Sequence, residues 1–165
     1  MNERTRVVVG IGSNIEPERH VPAAVRRLSD IGEVLAVSDF YRSKPADGSD
    51  QADYVNGAVM LATDVAADDL KPLLRRIEDD LGRVRDPTDK NAPRTIDLDT
   101  AAYGEAAEPD PDVLKRWFLA VPFADVWPDW THPQTGETAA AIAERRRSQT
   151  DETIEVVRFD ATARP

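Results

Sequence analysis

Two aspartates one residue apart, Asp97 and Asp99, are the side chains of this sequence best suited to holding a hard cation. Ile96 and Leu98 alternate with them, the period-2 pattern of a strand with one apolar and one polar face. Both carboxylates then project the same way, with Cα atoms roughly 6.6 Å apart, twice the strand rise. Mg2+ takes a few carboxylate oxygens together with substrate phosphates, and paired ions sit roughly 3.5–4 Å apart in phosphoryl-transfer sites. Arg94 stands just before the strand, where its planar fork can grip a phosphate. Arg83 and Arg85 open the polar, proline-interrupted stretch Arg83–Pro93 that leads into it. Cations beside a double carboxylate make chemical sense if phosphates and metal lie between them. A lone D-x-D is more often a solvated sheet face, and arginines alone are charge balance, so the rest of the chain has to decide.

The chain is 165 residues long, enough for one domain with a single core, and it contains no cysteine, which excludes thiol catalysis, zinc-thiolate sites and disulfides. A net charge of −10 argues against a nucleic-acid partner, which demands a basic surface. ATP remains possible if the few cations are focused in a cleft. The N-terminus leads straight into a short apolar strand, too brief for a signal segment or a membrane span, so the expectation is a cytoplasmic protein that does not bind membranes.

Elements must bring these residues together. Arg6–Gly12 reads as a buried strand, with Gly10-Ile11-Gly12-Ser13-Asn14 as a tight turn out of it. Pro17 opens a helix to about Ile31, with Val21, Ala24, Val25 and Leu28 on its apolar face and His20 as a surface residue. Val34–Arg42 reads as one strand with Leu35, Val37 and Tyr41 on one side, and Ser43–Asp53, rich in turn formers, as a flexible loop. In the strand Tyr54–Thr63, Tyr54 and Asn56 share a face, where an aromatic and an amide can stack on and hydrogen-bond a planar heterocycle; the plain alternative is an ordinary sheet surface. A helix over Leu70–Leu81 is expected to be capped by Asp69, which puts Pro72 in the first turn, and to stop at Gly82. Glu78 near its end is either solvated or a site carboxylate. After an acidic, proline-rich run, Glu105–Asp112, come an apolar segment, a helix over Thr138–Arg147 and a last strand within Thr153–Phe159. The order β-α-β-β-α-β points to an α+β fold with a ferredoxin-like core.

Four strings now combine: Gly10-Ile11-Gly12-Ser13-Asn14, Asp50-Gln51-Ala52-Asp53-Tyr54-Val55-Asn56, Gly82-Arg83-Val84-Arg85 and Pro93-Arg94-Thr95-Ile96-Asp97-Leu98-Asp99. In order and spacing, from about Val7 to Ile142, the chain resembles the 6-hydroxymethyl-7,8-dihydropterin pyrophosphokinases. The resemblance implies helices on a mainly antiparallel sheet and transfer of the β,γ-pyrophosphoryl group of ATP to the pterin hydroxymethyl oxygen, with AMP leaving, in folate biosynthesis. It implies Asp97 and Asp99 as ligands of two Mg2+ ions, and Tyr54 and Phe118 as plates around the pterin with Asn56 as its amide partner. Arg83, Arg94 and Arg116 become phosphate contacts on ATP, joined at the nucleotide by Arg85 and Glu78, and the expected protein is a monomer. Two departures stand out. Lys90-Asn91-Ala92 replaces the family's usual R-W-G, removing a tryptophan that helps seal the site, and Pro109-Asp110 replaces its usual P-H, removing a histidine that contacts ATP. Trp117, where the family usually carries a small residue, is either a replacement lid or core packing. A relative acting on a modified pterin, or a binding protein without turnover, are the alternative readings.

Overall fold

The computed structural model describes residues 3–105 and 109–159, so residues 106–108 of the acidic, proline-rich run lie outside the described residues. In chain order the elements are β1 (Thr5–Ser13), α1 (Pro17–Leu28), β2 (Glu33–Val37), β3 (Phe40–Ser43), β4 (Tyr54–Thr63), α2 (Ala67–Asp80), β5 (Asp97–Tyr103), α3 (Pro111–Lys115), α4 (Trp117–Val126), α5 (Ala139–Gln149) and β6 (Glu155–Val157). The sheet runs β5-β1-β4-β3-β6, with β2 also on β4, and every pairing is antiparallel. The first seven elements are therefore the expected ferredoxin-like core, with its second strand split in two.

Alternation along β1 explains the layering. Val7, Val9 and Ile11 face the apolar sides of α1 and α2, meeting Val21, Leu28, Leu70, Leu74 and Ile77 in one buried cluster. Val8 points to the opposite face, where Ala58 joins Ala120, Phe123, Trp127, Trp130 and Ile142 of the α4–α5 layer. A sheet buried on both faces needs helices on both, and the C-terminal third of the chain supplies the second layer.

Several local expectations are overturned. Val34–Arg42 is two strands, because Ser38 leaves the ladder: its amide bonds Ala58 O (2.9 Å) and its hydroxyl takes Ala58 N (2.8 Å). With a bulge between Val34 and Ala36 as well, Leu35 is turned to solvent while Tyr41 is buried. Helix α2 starts at Ala67, with no side chain capping it, so Pro72 lies inside the helix. The proline leaves the carbonyl four residues earlier, that of Asp68, without its helical donor, which an exposed position lets water replace. Asp68 and Asp69 sit in the first turn, where negative charge is favoured. His20 is buried, its Nδ1 2.7 Å from Ile15 O. Gly10 and Gly12 do not turn the chain; they stay inside β1, and the turn comes at Asn14–Glu16.

One glycine carries a close approach. A Cβ on Gly57 would lie 2.3 Å from the ring of Phe40, which packs edge-on against Phe159 at 5.3 Å. Gly57→Ala should therefore destabilise the fold by about 1–3 kcal/mol through overpacking. Urea unfolding should show a lower midpoint with an unchanged slope; an unchanged midpoint would mean that Phe40 moves freely.

Candidate active site

The sheet register assembles the site from distant parts of the chain. Asp97 pairs with Gly12, Gly12 with Asn56 and Asn56 with Tyr41, so four strands contribute one continuous row. Alternation puts that row on the face opposite Ile11 and Leu98, under α3 and α4. Asp97 and Asn56 stand two strand spacings apart, about 10 Å, and Gly12 between them has no side chain. A Cβ there would come within 3.1 Å of Asn56 Oδ1 and within 4 Å of Tyr54 and Asp97. Gly12 of the opening motif thus serves as a bare floor, across which a flat molecule can lie.

Over this floor is a cavity of about 330 Å3 whose walls include Tyr54, Asn56, Arg94, Asp97, Asp99, Arg116 and Phe118. A second cavity, of about 390 Å3, lies on the other side of the same aspartates, with Lys71, Arg75, Glu78, Arg83 and Arg85 in its walls. Asp97 and Asp99 border both, so the carboxylate pair stands where the two spaces meet. The sequence-predicted residues are all brought to this region: the aromatic and amide groups in the first cavity, the cations and Glu78 around the second, Arg94 and Arg116 at the first.

The two aspartates differ electrostatically. Asp97 Oδ1 accepts from Arg83 Nη1 (3.0 Å) and Oδ2 from Arg94 Nη1 (2.8 Å), so both oxygens face guanidinium. Asp99 has no cation partner among the described residues. Asp99 is exposed to solvent at the cleft, yet the surrounding cleft walls, followed by the charges of Asp97, Glu78 and Asp110, push its carboxyl up to about 7, a shift that the open side screens in part. Carboxylates crowded this way are candidates to hold a cation, which would relieve their mutual repulsion. Among the described residues no group of three or more acidic or histidine side chains converges on one point. Tyr54 faces the same cleft, and burial raises its phenol, keeping the ring neutral.

Glu78 organises the edge. It is 4 % exposed and accepts from Arg83 Nη1, Arg85 Nη2 (both 2.7 Å) and Leu98 N (2.8 Å). The amide of Leu98 lies between the two aspartates, so this carboxylate registers α2 against the metal-suited pair as well as holding two arginines. Arg116 makes no ion pair among the described residues; it is the residue between α3 and α4, exposed at the cleft.

Loop anchoring depends on contacts between residues far apart in the sequence. Asn14 Nδ2 donates to Gln51 Oε1 (2.8 Å) and Ala52 O, while Asn14 Oδ1 accepts from Arg94 N (2.8 Å). Gln51 Nε2 in turn donates to Asn91 O (2.6 Å). The loop without its tryptophan is therefore held by its backbone, through Asn14 and Gln51. Trp117 is not its lid: it is 7 % exposed and packs with Tyr41, Val121 and Ala143. Asp110 lines the first cavity and caps α3 by accepting Asp112 N (3.0 Å). Lys71 and Arg75 at the second cavity were also missed; with Glu78 they follow i, i+4, i+7 spacing, one stripe of a helix that a charge-pattern reading can detect.

Comparison with known proteins decides the family. The family model described as 7,8-dihydro-6-hydroxymethylpterin-pyrophosphokinase matches residues 8–128. The chain belongs to this family. A 2-amino-4-hydroxy-6-hydroxymethyldihydropteridine pyrophosphokinase of Synechocystis is 36 % identical over 148 residues, 84 % of this chain and 74 % of the relative. Its counterpart in Pseudomonas aeruginosa is 38 % identical over 138 residues, 78 % of this chain and 84 % of that one. Among solved structures, a Plasmodium falciparum HPPK-DHPS crystal structure with pteroate matches with a TM-score of 0.72 over 90 % of this chain, at 10 % identity, a likeness of fold. The chain spans 45 % of that longer protein. The family match ends at residue 128, so α5 and β6 lie beyond it.

Proposed function

We propose that the chain transfers the β,γ-pyrophosphoryl group of ATP to the hydroxymethyl oxygen of 6-hydroxymethyl-7,8-dihydropterin and releases AMP. The observation that carries this reading is the cross-sheet row that sets an aromatic, an amide and a bare glycine floor beside Asp97 and Asp99. The pterin lies on that floor between Tyr54 and Phe118. Asn56 donates through Nδ2 to Ser43 Oγ (2.8 Å), which leaves Oδ1 to accept from a ring N–H. The hydroxymethyl arm then reaches toward the aspartates, and the triphosphate comes from the second cavity. There the oxygen bonds to the β-phosphorus, the bond to the AMP oxygen breaks, and the hydroxyl proton is lost.

Asp97 and Asp99 would hold Mg2+, two ions in the fullest reading, and Mg2+ supplies neutralisation of phosphate charge. Arg83 and Arg94, held here on Asp97, exchange that carboxylate for phosphate oxygens, and Arg116 adds an uncommitted cation from the opposite wall. Arg85 and Glu78 hold the edge of the nucleotide space in place. Among the described residues, no helix is long and apolar enough to cross a membrane. We infer a cytoplasmic monomer acting in folate biosynthesis from the small, soluble ATP and pterin substrates of the proposed reaction.

Incubation with ATP, Mg2+ and the reduced pterin, with AMP measured against ADP, tests the reaction; ADP as product, or no pterin-dependent AMP, overturns it. Tyr54→Ala and Phe118→Ala should each weaken pterin binding about ten- to hundredfold, from lost stacking and lost buried area, and leave ATP binding nearly unchanged. Equal losses for both ligands in titration calorimetry would contradict the stacking role.

A further inference from the structure

We propose that Glu152 and Trp117 are positioning residues that hold Phe118 in place as a plate for the pterin; this rests on the pterin reading above. Phe118 is half-buried at the cleft wall, and its ring meets that of Trp117 edge to face at 5.8 Å and 85°. Trp117 is fixed in turn. Its Nε1 donates to Glu152 Oε2 (2.8 Å), and its ring packs among Tyr41, Val121 and Ala143, with Ile154 against the same cluster.

The chain that carries Glu152 is itself anchored to the sheet that bears the site. Strand β6 pairs with β3, with Val156 opposite Tyr41 and Glu155 opposite Arg42. Tyr41 stands at the end of the Asp97–Gly12–Asn56 row and bonds through its hydroxyl to Asp125 of α4, the helix that begins with Trp117 and Phe118. Sheet, terminal strand and helix therefore form a closed circuit with Phe118 at its cleft-facing end. A third cavity, of about 410 Å3, has Glu152 in its wall and shares Ser43 and Lys44 with the first cavity. Solvent thus approaches the Trp117–Glu152 bond from behind, and that bond is the circuit's one polar tie on the indole.

Stacking on a ring that is already held costs less ordering than stacking on one free to change rotamer. The pair should act on pterin affinity and leave the chemical step and ATP alone. Glu152→Ala should raise the KM for the pterin about three- to tenfold, with kcat and the KM for ATP unchanged. Glu152→Gln, which keeps an oxygen to accept from the indole, should restore wild-type values. Trp117→Phe, which keeps a ring and removes the donor, should resemble Glu152→Ala. A second measurement does not depend on turnover: aromatic 13C relaxation should show greater mobility of Phe118 in Glu152→Ala and wild-type order in Glu152→Gln. Wild-type order at Phe118 in the alanine variant, or losses for pterin and ATP in parallel, would overturn the proposal. Absence of pterin-dependent AMP from the wild type, with the mobility difference intact, would overturn the reaction and leave the positioning of Phe118 standing.

Discussion

Asp99→Asn should abolish pyrophosphoryl transfer while raising the melting temperature of the metal-free protein, whereas Asp97→Asn should abolish transfer and lower it. The shared loss follows from phosphoryl transfer itself, where catalysis is positioning plus neutralisation of phosphate charge, so removing either of the two carboxylates should cost at least about a thousandfold in kcat. The opposite stability effects follow from their partners. Asp97 receives two arginines, and its amide substitute takes the counter-charge from Arg94 and leaves Arg83 with Glu78, worth about 1–3 kcal/mol. Asp99 receives none among the described residues and is pushed up to about 7.

A carboxyl whose folded-state value is raised binds its proton more tightly when folded. Its ionisation therefore destabilises the fold: nothing is lost below the unfolded value near 4, the penalty grows as pH rises, and it is complete above about 7. The gain from Asp99→Asn should accordingly be absent at pH 4 and full at pH 8, and added Mg2+ should stabilise the wild type more than the variant. Thermal unfolding at the two pH values, with and without Mg2+, reads all of this. A variant less stable than wild type at pH 8, or normal turnover in either variant, would refute the assignment.

Glu78→Ala should be the most destabilising single change at the site. Glu78 is buried and accepts from two arginines and the Leu98 amide. Its removal takes one carboxylate from each of two arginines and leaves the buried Leu98 amide without an acceptor, together about 3–5 kcal/mol. For a chain of this size that is a fall of roughly 10 °C in melting temperature. Arg83 retains Asp97 and the Ile96 carbonyl, and Arg85 retains Asp79, which keeps the loss from growing further. Glu78→Gln should fall between, because an amide oxygen still accepts from Leu98 N. Transfer should drop in Glu78→Ala, where the edge strand carrying Asp97 and Asp99 loses its tie to α2, and less in Glu78→Gln, which keeps the bond from Leu98 N. A melting temperature within 2 °C of wild type for Glu78→Ala, where the expected loss is about 10 °C, would show that Arg83 and Arg85 hold that edge without it.

The contrast between Glu78 and Asp97 shows where reading the chain stops. Alternation of Ile96, Asp97, Leu98 and Asp99 is a local property, and it was enough to place two carboxylates on one face of a strand. The helical spacing of Val21, Ala24, Val25 and Leu28, and the arrest of α2 at Gly82, with φ +84, are local as well. The motif strings placed the chain near its family because they preserve residue type at fixed separation. Element boundaries were weaker, since Ser38 breaks its strand by bonding Ala58, 20 residues away, and no window around Ser38 contains that partner.

By itself, the sequence determined the α+β order, the paired carboxylates with nearby arginines, and the aromatic–amide strand, because each depends on periodicity or spacing within a few residues. The tertiary structure alone decided how those pieces are used. Antiparallel pairing set Gly12 between Asp97 and Asn56 and made a supposed turn into a cleft floor. Burial turned Glu78 from an undecided carboxylate into the holder of two arginines, and Trp117 from a candidate lid into a packed anchor. It also separated the two aspartates, giving Asp97 two cations and Asp99 none among the described residues. Each of these depends on which distant side chains come within about 3 Å of one another, the range of a hydrogen bond, and that is a property of the folded chain.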